Sequence, residues 1–101
     1  FNSHIARQQL EGAILYGLTA ALKGEINVQN GQVVQSNFDD YPMLKLKDTP
    51  EINVHLLENH EAPGGLGEAG TPLIGPAVAN AVFVATGKQV RRLPIRRKDL
   101  V

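Results

Sequence analysis

Small and apolar residues recur at three- and four-residue spacing near the start of the chain, which is the pattern of an amphipathic helix. Asn2 or Ser3 can cap the N-terminus of this helix, and Gly24 can end it. Its many glycines and alanines predict a face packed tightly against another element, so we expect a buried structural helix. The residues that carry the pattern are Ala6, Leu10, Ala13, Ile14, Gly17, Leu18 and Ala21.

Residues 25–29 and 32–35 flank the dipeptide Asn30-Gly31. Asn-Gly between such segments is the strongest short-range signal for a hairpin with a two-residue type I′ turn. The predicted register places Val28 opposite Val33. A lone hairpin is marginally stable in water, so its partly apolar face needs cover.

Apolar and polar residues then alternate from Ile52 to Leu56, which predicts a half-buried strand just after Pro50. Before this strand, residues 36–49 are mixed in character and predict a crossing loop. After it, residues 58–75 predict a long loop rich in glycine. Eighteen residues of loop are unusual in a compact unit and indicate either a functional role or a missing neighbour.

Pro76 suits the first turn of a second helix, and Gly87 is placed to end that helix. Leu93-Pro94-Ile95 then predicts a short extended arm. The predicted order is helix, hairpin, strand, glycine-rich loop, helix and arm. Since strands and helices do not alternate regularly, the fold class is α+β.

Composition describes one ordinary domain, or a segment of one, covering residues 1–101. Ten basic residues balance ten acidic ones, and the only basic cluster, at residues 91–98, is expected to be a solvated tail, with an anion or partner contact as the rarer alternative. We therefore expect no nucleic-acid partner.

The absence of cysteine excludes disulfides and cysteine-held clusters within the chain. The apolar run at residues 13–22 is too short for a membrane span.

Glu68 is the one acid in a tract that contains four glycines and a proline, residues 64–72. Glycine allows the backbone to approach a ligand closely, so such a loop can aim a carboxylate at a substrate. Taken alone, the tract also fits an ordinary connector whose acid points at water. We set aside a metal site at the nearby histidines and glutamates of residues 55–61, because their spacing fits a polar strand end running into a loop.

The same tract contains glycines 65, 67 and 70 in the spacing of the dinucleotide-binding fingerprint. That fingerprint requires a strand running into the first glycine and a helix beginning within the motif. Here Ala62-Pro63 precedes the glycines, and Thr71-Pro72 is expected to interrupt the helix that the motif requires. Nucleotide binding therefore stays a weak alternative.

Four segments together resemble a known family: residues 9–17 (QLEGAILYG), 35–38 (QSNF), 65–68 (GLGE) and 76–81 (PAVANA). They are similar to the C-terminal part of the molybdopterin-binding large subunit of the xanthine dehydrogenase/aldehyde oxidase family. The likeness is strongest to the bacterial branch that includes the isoquinoline 1-oxidoreductase beta subunit. It covers nearly the whole chain, and the order and spacing of the segments make it specific.

The resemblance implies an oxidoreductase that hydroxylates an N-heterocycle or an aldehyde with oxygen derived from water. It implies that Glu68 is the catalytic base, that Gln9 hydrogen-bonds the pterin of the molybdenum cofactor, and that Gly67 adjoins that cofactor. It gives no metal ligand in this chain. Ala69, where many relatives have proline, and Asp39, where close relatives often have histidine, depart from the family pattern.

The implied partners are the rest of the large subunit, a separate iron–sulfur subunit and the substrate. Because the family's large subunits are many times longer and the chain does not begin with methionine, we expect an excised segment that is inactive and cofactor-free on its own. Its exposed apolar faces favour homo-oligomers. Its compartment, bacterial cytoplasm or periplasm, stays open. The rival hypothesis is a non-catalytic interaction module built on the same scaffold.

Overall fold

The computed structural model describes residues 1–101 and contains two helices and one two-stranded antiparallel sheet. The elements are α1 (Ser3–Leu22), β1 (Val28–Gln29), β2 (Gln32–Val33) and α2 (Thr71–Thr86), with short 3₁₀ turns at Leu46–Asp48 and Arg97–Asp99. An α+β arrangement is consistent with these elements. The two helices pack against each other, and the hairpin packs against neither.

Helix α1 begins as predicted. The Asn2 side-chain oxygen accepts the backbone N–H groups of His4, at 2.9 Å, and Ile5, at 3.2 Å. The helix ends at Leu22 with Lys23 as its C-cap, slightly before the predicted Gly24, whose N–H still donates to the Thr19 carbonyl at 2.8 Å. Its buried face includes the predicted small residues Ala13, Gly17 and Ala21, whereas Gly12 and Ala20 are exposed. The other buried residues of the helix are Ala6, Leu18 and Thr19.

Helix α2 begins five residues earlier than predicted, at Thr71, so Pro76 lies inside the helix and the preceding loop ends at Gly70. Pro72 occupies the first turn, where a missing N–H is tolerated. Pro76 cannot donate to the carbonyl four residues before it. Contacts with α1 hold the first turn instead. The predicted end is confirmed, since Gly87 caps the helix in the left-handed conformation with φ 71°.

The hairpin is confirmed, although its strands are only two residues long. Val28 pairs with Val33, as predicted, and Gln29 pairs with Gln32. Asn30 and Gly31 both have positive φ, 51° and 77°, as a type I′ turn requires. All four strand residues are exposed.

The predicted strand at residues 52–56 is wrong. Ile52, Val54 and Leu56 alternate with exposed residues and are partly buried, but the segment pairs with no other strand. Its Val54 carbonyl accepts a hydrogen bond from the Arg7 guanidinium at 2.6 Å. The alternation therefore matches the partial burial of one side of the segment, but it did not indicate a paired strand.

The C-terminal arm packs on the end of α1. The Ile95 N–H donates to the Ala21 carbonyl at 2.8 Å, and Pro94 and Ile95 are buried. All five basic residues of the cluster are exposed, as expected of a solvated tail. Two of them, Arg92 and Arg96, also form ion pairs with Glu25, which the sequence did not predict.

Little of this structure is buried. The chain exposes 8131 Å², whereas a compact protein of its mass exposes roughly 5,600 Å². Its radius of gyration is 16.3 Å, against roughly 13 Å for a compact domain of this length. Only eight residues are buried, and none of them belongs to α2. No helix has both the length and the hydropathy to cross a membrane.

Candidate functional site

The glycine-rich tract lies against the N-terminal half of α1. The side-chain amide nitrogen of Gln9 donates a hydrogen bond to the Gly67 carbonyl at 3.1 Å, across 58 positions of sequence. This bond joins the two residues that sequence reasoning nominated for cofactor contact. The amide oxygen of Gln9 makes no hydrogen bond within the chain, so one acceptor is left for a ligand.

Glu68 follows Gly67 directly and is the first residue of a turn that runs into α2. Its carbonyl accepts the Thr71 N–H at 2.9 Å, which closes the turn over Ala69 and Gly70. Its carboxylate is exposed and makes no hydrogen bond or ion pair with the rest of the chain. The backbone of Glu68 is therefore held in place, while its carboxylate is free to contact a group from outside the chain.

The far side of the turn is fixed to α1 by close packing. The Thr71 hydroxyl donates to the Ala13 carbonyl at 3.2 Å. A Cβ added at Gly70 would lie 3.3 Å from the Ala13 Cβ, and one added at Gly17 would lie only 2.6 Å from the Thr71 carbonyl oxygen. Glycine at position 17 therefore permits the approach of the two helices.

A groove of about 510 Å³ opens beside the Gln9–Gly67 bond. It is largely apolar and includes Gln9 in its wall, although Glu68 does not line it. The lining residues are Phe1, Asn2, Ile5, Ala6, Gln9, Leu56, Pro63, Gly64, Gly65 and Leu66. An apolar cleft with few polar groups is typical of small-molecule and cofactor sites.

Three glycines of the tract face open space. A Cβ added at Gly64, Gly65 or Gly67 would meet nothing within 4 Å. The backbone there is accessible to a ligand or to another part of a larger protein. Together with the free Gln9 acceptor and the apolar groove, this accessibility fits a planar, hydrogen-bonding cofactor such as a pterin.

The chain brings no metal-binding set together, since no group of three or more His, Asp or Glu side chains is close enough to hold an ion. His55, His60, Glu58 and Glu61 lie along an exposed stretch.

The dinucleotide fingerprint needs one correction. Helix α2 begins immediately after Gly70, so Thr71-Pro72 do not interrupt the motif. The motif still departs from a dinucleotide site, because no strand leads into Gly65.

Sequence reasoning missed Thr71, and it placed Gly17 on a tightly packed face without identifying the residue that Gly17 meets. The predicted loop contains Thr71, although a threonine directly before proline suits the start of a helix. The approach of Gly17 to Thr71 joins residues 54 positions apart, and no local pattern contains that information.

Comparison with known proteins adds to this geometry. No family model matches the chain. The chain is 44% identical over 92 residues to the isoquinoline 1-oxidoreductase subunit beta of Brevundimonas diminuta, which covers 91% of the chain and 12% of that protein. It is 42% identical over 96 residues to a protein of Gluconacetobacter polyoxogenes named membrane-bound aldehyde dehydrogenase [pyrroloquinoline-quinone], covering 95% of the chain and 12% of that protein.

A third relative is an aldehyde oxidoreductase molybdenum-binding subunit of Escherichia coli, 34% identical over 108 residues and covering 99% of the chain and 15% of that protein. Over nearly its whole length, the chain matches a segment of the large, molybdenum-binding subunit of xanthine dehydrogenase/aldehyde oxidase-type enzymes. It spans about one eighth of the length of these relatives. The relatives are oxidoreductases, and several of their names describe subunits of larger complexes.

Proposed function

We propose that the chain supplies the catalytic base of a molybdopterin-dependent hydroxylase, and that residues 1–101 form one segment of its cofactor-binding domain. The substrate is an N-heterocycle or an aldehyde, as the names of the relatives suggest. One observation carries the proposal. The Gln9–Gly67 hydrogen bond sets a candidate cofactor-binding amide next to the residue that precedes Glu68.

Hydroxylation with oxygen derived from water adds one oxygen to carbon and releases protons and electrons. The molybdenum cofactor, when bound, provides the oxygen-transfer centre and accepts the electrons. The chain must provide a place for a proton. Glu68 suits that task because a carboxylate oxygen with no internal partner can accept one and later release it to water.

Gln9 would hold the pterin through its free amide oxygen, while its amide nitrogen stays on Gly67. The open glycines would let the cofactor or a neighbouring part of the subunit lie against the backbone. The apolar groove would exclude water from one side of the site. Each of these tasks needs groups from the rest of the enzyme as well, so the isolated chain is proposed to be inactive.

The name of one relative includes pyrroloquinoline quinone, whereas two other relatives are named as molybdenum-binding subunits. We propose molybdopterin because the four sequence segments that carry the resemblance belong to the molybdenum family. Measurement of molybdenum and quinone in the purified complex distinguishes the two cofactors. A complex with quinone and no molybdenum would overturn this assignment.

The test of the base is Glu68→Gln in the full-length enzyme complex. We expect kcat to fall by about 100- to 10,000-fold, the usual effect of removing a general base. Molybdenum content should not change, because Glu68 is not proposed to hold the cofactor. Glu61→Gln is the matched control, since Glu61 is an exposed glutamate of the same loop. Retained turnover in Glu68→Gln refutes the proposal.

The alternative of a non-catalytic interaction module rests on the hairpin. Val28 and Val33 are 64% and 55% exposed on an isolated two-stranded sheet, a surface that a partner strand can extend. If the purified complex holds neither molybdenum nor quinone and does not turn over aldehydes or N-heterocycles, this alternative replaces the enzyme proposal.

A further inference from the structure

Two hydrogen bonds hold the Glu68 turn on α1, one on each side of the acid. Before Glu68, the Gln9 amide donates to the Gly67 carbonyl at 3.1 Å. After it, the Thr71 hydroxyl donates to the Ala13 carbonyl at 3.2 Å. Gln9 and Ala13 are four residues apart in α1, and Gly67 and Thr71 are four residues apart in the turn. Each bond joins one end of the turn to one level of the helix.

The spacing between Gln9 and Ala13 sets the position of the turn along the axis of α1. Residues four apart lie on the same helix face, separated by about 6 Å along the axis. The turn between the two attachment points is closed by the Thr71 N–H on the Glu68 carbonyl. Thr71 therefore fixes the turn twice, once through its backbone and once through its hydroxyl.

The Thr71 attachment is the more protected of the two. Its hydroxyl bond is partly buried, whereas the Gln9 bond is exposed and Gln9 is also the proposed cofactor ligand. A glutamine shared with a cofactor cannot by itself keep the turn in place when the cofactor is absent. The neighbouring close contacts of Gly70 and Gly17 leave the Thr71 backbone little room to move.

We propose that Thr71 is a positioning residue, whose hydroxyl on the Ala13 carbonyl fixes the turn that aims the Glu68 carboxylate. The proposal rests on the role of Glu68 proposed above. Without the hydroxyl, the first turn of α2 loses one of its attachments to α1, and the Glu68 carboxylate is held less precisely. A displacement of about 1 Å at a reacting group can lower a rate by about 100-fold.

The test uses Thr71→Val in the full-length enzyme complex, which removes the hydroxyl and keeps the shape of the side chain. We expect kcat to fall by about 10- to 100-fold with an unchanged KM and an unchanged molybdenum content. Thr71→Ser should restore most of the lost turnover, because serine keeps the hydroxyl. Thr86→Val is the matched control, because its hydroxyl bonds the Val82 carbonyl at the opposite end of α2.

Amide hydrogen exchange of residues 67–71 provides a readout that does not depend on activity. We expect faster exchange there in Thr71→Val and wild-type exchange in Thr86→Val. Unchanged exchange in Thr71→Val would show that the Thr71 hydroxyl does not hold the turn, whatever the result for Glu68→Gln. Faster exchange with unchanged kcat overturns the positioning role, and so does a loss of kcat that serine fails to restore. If Glu68→Gln stays active, Glu68 is not the base, and the exchange result still shows whether the Thr71 hydroxyl holds the turn.

Discussion

The Glu68 turn and the hairpin turn are both short and contain glycine, yet they are held in different ways. The hairpin turn is built by local geometry, with Asn30 and Gly31 in the left-handed region and both strands exposed. The Glu68 turn has no residue with positive φ and is held by α1 through Gln9 and Ala13. A turn of the first kind needs only its own residues. One of the second kind needs another element at the right distance.

The difference fits the catalytic role proposed above for Glu68. A catalytic carboxylate must stay within a fraction of an ångström of its productive position, which side-chain attachments to a rigid helix can achieve. The hairpin has no such attachment, and neither helix packs against it. We expect changes where α1 contacts the Glu68 turn to alter turnover, and changes at the hairpin to alter only local stability.

The largest effect in this comparison is expected at Gly17. Gly17→Ala places a Cβ 2.6 Å from the Thr71 carbonyl oxygen, a backbone atom that cannot rotate away. Overpacking costs about 1–3 kcal/mol, and the gain of about 1 kcal/mol in helix propensity offsets part of it. We expect a lower midpoint of thermal unfolding for the full-length subunit and a lower kcat, because Thr71 is displaced.

Gly12→Ala is the control for this change, since Gly12 lies in the same helix and its added Cβ meets nothing within 4 Å. It should leave turnover unchanged and stabilise α1 by about 0.5–1 kcal/mol. Equal effects of the two substitutions would show that Gly17 is not a point of close approach.

A smaller effect is expected at the hairpin turn. Gly31→Ala puts a Cβ at φ 77°, which costs about 1–2 kcal/mol in the left-handed region. Gly31→Asn should cost less, because asparagine tolerates that conformation. Exchange at residues 27–34 measures the loss, and kcat should equal that of the wild type. A fall in kcat for Gly31→Ala would show that the hairpin affects the site, which would contradict the expectation that it alters only local stability.

The smallest expected effect is a change in stability at low pH. The Lys23 ammonium hydrogen-bonds the Asp48 carboxylate at 2.5 Å and lowers the pKa of Asp48 below its ordinary value. A carboxyl group whose pKa is lower in the folded state stabilises the fold above the unfolded pKa, and this contribution disappears as the pH falls through the folded pKa. The difference in thermal midpoint between the wild type and Asp48→Asn should therefore shrink below about pH 4.

Asp39→Asn is the control for this titration, because the Asp39 side chain is exposed and makes no hydrogen bond within the chain. Its effect should be small at every pH. A difference for Asp48→Asn that stays constant from neutral pH into acid would mean that the ion pair with Lys23 does not stabilise the fold.

Several elements could be predicted because their signals are local. Asn2 caps α1 within three residues, Asn30-Gly31 forms its turn from its own backbone, and Gly87 ends α2 by adopting a positive φ. The start of α2 could not be predicted in this way. Two prolines in its first six residues argue locally for a later start, and packing on α1 overrides them.

The strand predicted at residues 52–56 failed for a related reason. Alternation reports that one side of a segment is covered, but it does not name the covering element. Here Arg7 of α1 bonds the Val54 carbonyl, and no strand lies alongside.

The sequence alone determined the two helices, the hairpin turn and the choice of Glu68 as the candidate acid, the last through the resemblance of four short segments to a family. Tertiary structure alone decided where α2 begins and how the Glu68 turn is held. Capping and turn formation involve residues a few positions apart, whereas the contacts of Gln9 with Gly67 and of Ala13 with Thr71 each span 58 positions. Contacts of that range depend on how the two helices pack, and no local pattern encodes that packing.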